Sequence, residues 1–87
     1  MQKKHKLVLE KRAQKDLKKI DTRFKPKILK ALVYLKKDPY IGKSLSGELE
    51  GYFSLRVWPY RILYTIRKEY LIIYVIAIKH RQSSYKK

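Results

Sequence analysis

The stretch Leu55–Ile66, LRVWPYRILYTI, constrains this chain more than any other. Apolar and polar residues alternate on both sides of Trp58-Pro59, and a proline cannot continue the interior of a strand ladder. The stretch reads as strand, tight turn, strand. With the turn centred between Trp58 and Pro59, residue 56 pairs with 61, 54 with 63 and 52 with 65. One face then carries Tyr52, Ser54, Arg56, Arg61, Leu63 and Thr65. The other carries Phe53, Leu55, Val57, Tyr60, Ile62, Tyr64 and Ile66, is nearly all apolar and has to be covered. The first face sets Arg56 directly opposite Arg61, and like charges facing across a sheet repel. Two explanations stand. An anion lies between them, since guanidinium forks match phosphate oxygens. Or each arginine finds a carboxylate such as Glu48 or Glu50, or lies flat in solvent.

The rest of the chain is read outward from this hairpin. Strands are predicted at about 52–57, 60–66 and 71–78, joined by short turns into an antiparallel meander. Centring the second turn between Lys68 and Glu69 places Ile76 across from Arg61. Ile72, Tyr74, Ile76 and Ile78 then join the arginine face, and continuing by twos adds His80. A bulge would reverse every assignment beyond it and exchange His80 for Arg81. Upstream, KLVLE (6–10) reads as a short first strand. Ala13, Leu17 and Ile20 recur at helical spacing, as do Phe24, Ile28, Ala31, Leu32 and Leu35. Asp21 and Thr22 are cap candidates for the second helix, Pro26 fits only its first turn, and Asp38-Pro39 ends it. YIGKSLSGELEG (40–51) is a Gly- and Ser-containing loop. The expected fold is α+β: one small domain over residues 1–87, in the order β-α-α-β-β-β, with two helices packed on one face of an antiparallel sheet.

The charge narrows what can approach the open face. Twenty-three Lys and Arg against seven Asp and Glu leave +16, and the first 37 residues alone carry 14 basic and 3 acidic side chains. Such a field attracts polyanions, either nucleic acid or an acidic protein. There is no cysteine, hence no disulfide and no Cys-based zinc site. Two histidines at opposite ends of the chain form no ligand pattern, so neither metal nor cofactor is expected. The longest apolar run, Tyr70–Ile78, is far short of the roughly 20 residues of a spanning helix. The apolar run behind the basic N-terminus is too short for a signal peptide. A soluble, cytoplasmic protein with no membrane role is expected.

YRILYTI, followed after a short hairpin by LIIYVIAIKHR and a terminal tyrosine, resembles the RelE/ParE toxin superfamily. KLVLEKRAQKDLKKID is similar to that family's opening strand and first helix, and SLSGELEGYFSLRV to the segment leading into its first hairpin. The resemblance implies the toxin of a type II toxin–antitoxin pair. RelE-like members are metal-independent ribonucleases that cut mRNA in the ribosomal decoding site; ParE-like members poison DNA gyrase. Both are neutralised by a small antitoxin, so a hetero-oligomer with an acidic antitoxin is implied, with ribosome and mRNA as further partners. Arg61 matches the arginine that contacts the scissile phosphate in ribonuclease members. Arg56 matches a basic position on the preceding strand, and Arg81 the arginine after the last strand. His80 resembles the histidine that several ribonuclease branches place there, and Tyr85 the C-terminal tyrosine. The RelE branch carries lysines where this chain has Tyr52 and Ser54. Branches that use a glutamate in the preceding loop have Lys43 in its place here.

The implied chemistry is attack of the 2′-hydroxyl on the adjacent phosphate. It needs a base, an acid for the leaving 5′-oxygen, and cations for the developing charge. Arg56, Arg61 and Arg81 are the expected cations. His80, disfavoured in its charged form among arginines, is the expected base. Tyr85 is the expected acid or a stacking platform, and Tyr52, Trp58 and Tyr74 can stack on unpaired bases. With Lys43 and Ser54 at the substrate, these form the candidate site. A gyrase inhibitor and a degenerate toxin-fold binding module are the alternatives.

Overall fold

The computed structural model describes residues 5–82; Tyr85 lies outside them. Strand β1 (Lys6–Leu9) leads into helix α1 (Lys11–Lys19) and helix α2 (Lys25–Lys37). A two-residue strand β2 (Lys43–Ser44) then precedes β3 (Tyr52–Val57), β4 (Tyr60–Arg67) and β5 (Ile72–His80). The five strands form one sheet in the order β1-β5-β4-β3-β2. The two helices, the β3–β4 hairpin and the α+β class are as expected.

Each helix buries the stripe its spacing dictates. Ala13 and the flanking Ile20 are buried from the first helix, and Ile28, Leu32 and Leu35 from the second. They meet Val57, Ile62, Tyr64, Ile73, Val75 and Ile78 in one core. Pro26 sits in the first turn of α2, where its missing N–H costs nothing. Both helices end on paired lysines, which suit the negative end of the helix dipole. Asp21 stands one turn ahead of α2 instead of capping it. Its carboxylate accepts from the backbone N–H of Arg23 at 2.9 Å and from the Arg23 guanidinium, and these bonds hold it below the usual carboxylate range.

The sheet departs from the expected antiparallel meander in three respects. First, β1 pairs with β5 in parallel, from Lys6 opposite Ile72 to Leu9 opposite Val75, so the sheet is mixed. Second, the loop at 40–51 contains β2, which sets Lys43 opposite Ser54. Third, the turn after β4 lies one residue farther along the chain than expected, with Lys68–Tyr70 in a 3-10 turn and Leu71 left-handed at φ 53°. Arg67 therefore faces Ile72, and the register holds to Tyr64 opposite Val75. A bulge follows: Leu63 pairs with Ala77, Arg61 with Lys79 and Tyr60 with His80. The cause is visible in the side chains. Val75 and Ile78 are both core residues although three apart, a spacing that strict alternation forbids. One extra residue, Ile76, reconciles them. Without it, Lys79 would point into the core.

Candidate functional site

The β3–β4 register is the one predicted, with Tyr52 opposite Thr65, Ser54 opposite Leu63 and Arg56 opposite Arg61. The bulge extends this row. Lys79, which the sequence reading missed, lies across from Arg61, so Arg56, Arg61 and Lys79 stand side by side on three adjacent strands. Neighbouring strands are only about 4.8 Å apart, so these charges are crowded. Arg81 joins them. With Arg56, Trp58, Pro59, Tyr60 and Arg61 it lines a depression of about 240 Å³ at the tip of the hairpin. A second depression of about 410 Å³ shares Arg56 and Arg61 and continues over Ser54 to Lys43, Ile41 and Leu45. Of the predicted site residues, Arg56, Arg61, Arg81, Ser54 and Lys43 are thus brought together. Tyr52 lies farther along the same face, in a separate depression with Thr65, Arg67, Tyr74, Ile76 and Glu10.

His80 is not with them. Beyond the bulge it faces Tyr60 on the helix-covered side, where the two rings meet edge to face at 5.2 Å. Its Nδ1 accepts from the backbone N–H of Gln82 at 3.2 Å. The expected placement of His80 on the arginine face is corrected by the same extra residue that brings Arg81 there. Tyr85 lies outside the described residues. The described residues lining the two arginine depressions include no histidine and no carboxylate.

Three contacts fix the frame. The backbone N–H of Arg81 donates to the Pro59 carbonyl at 2.7 Å, tying the end of β5 to the hairpin turn, whose Trp58-Pro59 peptide is cis. Lys27 Nζ of α2 donates to the Trp58 carbonyl at 3.0 Å and holds that turn from the helix side. The loop carrying Lys43 is pinned by Tyr64, whose hydroxyl donates to the Pro39 carbonyl at 2.7 Å and accepts from the Gly42 N–H at 3.0 Å. A Cβ at Gly42 would collide with that hydroxyl, so the close approach requires glycine. Burial raises the Tyr64 pKa, the Gly42 bond opposes the shift and the Asp38 charge adds to it. The ion pairs formed among the described residues, Arg12–Asp16 and Arg23–Asp21, both lie in the helical half.

Comparison with known proteins agrees with this fold. Residues 7–85 match the family described as ParE toxin of the type II toxin–antitoxin system parDE. The toxin RelG of Mycobacterium tuberculosis is 36% identical over 81 residues, an alignment covering 86% of this chain and 88% of that one. Among solved structures, the toxin–antitoxin complex RelBE2 of M. tuberculosis superposes with a TM-score of 0.84 at 30% identity, over 90% of this chain and 99% of that chain. The isolated Escherichia coli RelE toxin superposes with a TM-score of 0.76 at 21% identity, over 87% and 83%, a likeness of fold. The chain belongs to the RelE/ParE superfamily of toxins of type II toxin–antitoxin systems.

Proposed function

We propose that this toxin is a ribosome-dependent, metal-independent endoribonuclease that cuts mRNA and so arrests translation. The observation that carries this reading is the cation row Arg56–Arg61–Lys79, flanked by Arg81 and Lys43 on one open face. Guanidinium forks match phosphate oxygens in geometry and charge, so a phosphodiester set among these cations would be held by several of them at once. As the 2′-hydroxyl attacks, the phosphate gains negative charge. Fixed guanidinium groups favour that state over the ground state. Arginine stays charged throughout, so it binds but does not move the proton. Lys43, which β2 holds opposite Ser54, adds a further cation at the substrate. Trp58, 58% exposed at the rim, offers a face to an unpaired base.

The test is cell-free translation of a defined mRNA with purified protein, read by primer extension, with Arg61→Ala as the paired control. New 5′ ends inside codons, dependent on ribosomes and lost in the variant, support the reading. An uncut message and undisturbed translation overturn it. A second reading, a gyrase inhibitor or a non-catalytic binding module, is favoured by one observation: His80 faces Tyr60 across the sheet from the arginines. Trapping of gyrase cleavage complexes by the wild-type protein would select the former.

The proposed resident partner is an acidic antitoxin. Two features support it, the +16 charge and the exposed Leu29, Val33 and Tyr34 on α2 between lysines. An antitoxin disordered when free would offset its ordering cost through that charge, and the complex should weaken as salt rises. Binding indifferent to ionic strength would count against a charge-led interface.

A further inference from the structure

One acidic side chain in the helical half reaches β5, the strand that leads into Arg81. Strand β1 ends at Leu9, opposite Val75, so beyond that point the outer edge of β5 has no strand beside it. Asp16 of α1 fills the gap. Its Oδ2 accepts from the backbone N–H of Ile78 at 2.9 Å, while Oδ1 is held by Arg12 Nε at 3.4 Å. The carboxylate is 15% exposed, much less than its arginine partner. A charge-assisted bond to a backbone N–H is stronger than a neutral one. Ile78 is also the second pair of the bulged register, one residue past Ala77, where that register begins, and two past the unpaired Ile76.

The segment after the bulge is therefore gripped from both edges: Asp16 holds Ile78 from outside, and the Pro59 carbonyl holds the Arg81 N–H from the hairpin side. A slip of one residue in this segment would turn Arg81 toward the helices and His80 toward the arginines. We propose that Asp16 is a positioning residue: by fixing Ile78 it selects the bulged register of β5 and presents Arg81, and not His80, to the cationic face. The functional part of this inference rests on the ribonuclease reading; the register part does not.

The full chain tests both. In Asp16→Ala the Ile78 amide should exchange with solvent faster, and the Tyr60–His80 ring contact should weaken in NMR. Ribosomal mRNA cleavage should fall about tenfold, a typical coupling between linked residues. Asp16→Asn keeps an acceptor oxygen and should restore most of the activity. In an Arg81→Ala background, adding Asp16→Ala should cost nothing more, because the residue it positions is gone. Full additivity of the two substitutions would overturn the proposal, as would an unchanged Ile78 amide with the His80 contact intact. If Asp16→Ala does not fold, Asp16→Ser, whose shorter side chain falls away from the Ile78 N–H, decides: Ile78 exchange faster than wild type supports the clamp, equal overturns it. If the wild-type protein cuts no message, the ribonuclease reading fails, and the exchange and ring-contact measurements still judge the register.

Discussion

The two faces of one sheet obey opposite rules. On the helix-covered face Ile62, Tyr64, Ile73 and Val75 are fully buried and Ile78 nearly so. There every residue is explained by packing. On the open face Arg56, Arg61 and Lys79 stand shoulder to shoulder, outside the core. The same alternation of side chains builds both, so a one-residue change of register would trade core for site. The contrast teaches that in this protein the residues that hold the fold and the residues that act are separable by parity, and mutation can test that separation.

The largest expected effect is on the open face. Arg61→Ala should cut ribosomal cleavage by about 100- to 1,000-fold, the scale of losing one group that stabilises developing charge, without lowering the melting temperature. A matching loss of stability would break the comparison. Across the sheet, Ile62→Ala should cost about 3 kcal/mol in chemical denaturation through the cavity it leaves, with turnover per folded molecule retained. Tyr64→Phe sits between the two faces, because its hydroxyl holds the Lys43 loop. It should cost about 1–2 kcal/mol by leaving the Pro39 carbonyl and Gly42 N–H without that partner. Its folded pKa is raised, so its contribution is fully present below the ordinary tyrosine value of 10.0 and fades as pH climbs through the higher folded value. Denaturation midpoints of wild type and Tyr64→Phe should therefore converge in strong alkali. The smallest effect is the sharpest. Arg56→Thr should change stability by no more than about 0.5 kcal/mol, as exposed substitutions do, while activity falls.

Much of this was legible in the sequence, and the lapses have definite causes. The arginine pair followed from a two-residue turn, which leaves no freedom of register. The helical stripes followed from spacing. The direction of β1 did not, because a strand's own residues do not record whether its neighbour runs with or against it. Strand β2 is only two residues long and lay hidden in a polar loop. The bulge left a trace, since apolar Ile78 and charged Lys79 sit where alternation after Val75 would place them the other way round. Asp16 left none: its partner is 62 residues away, and only the folded chain shows why an acid sits on that helix.

The position of β5 has a consequence for the order of synthesis. It is the last strand of the sheet to be made, yet it lies between the first strand and the hairpin. Until Ile72–His80 is available, α1 lacks the strand it packs on, β1 has no neighbour, and neither Lys79 nor Arg81 is in place. A nascent chain of this toxin therefore cannot complete its sheet through most of its translation, and closes it in a late step. The interval before that step is time in which a partner can already be waiting.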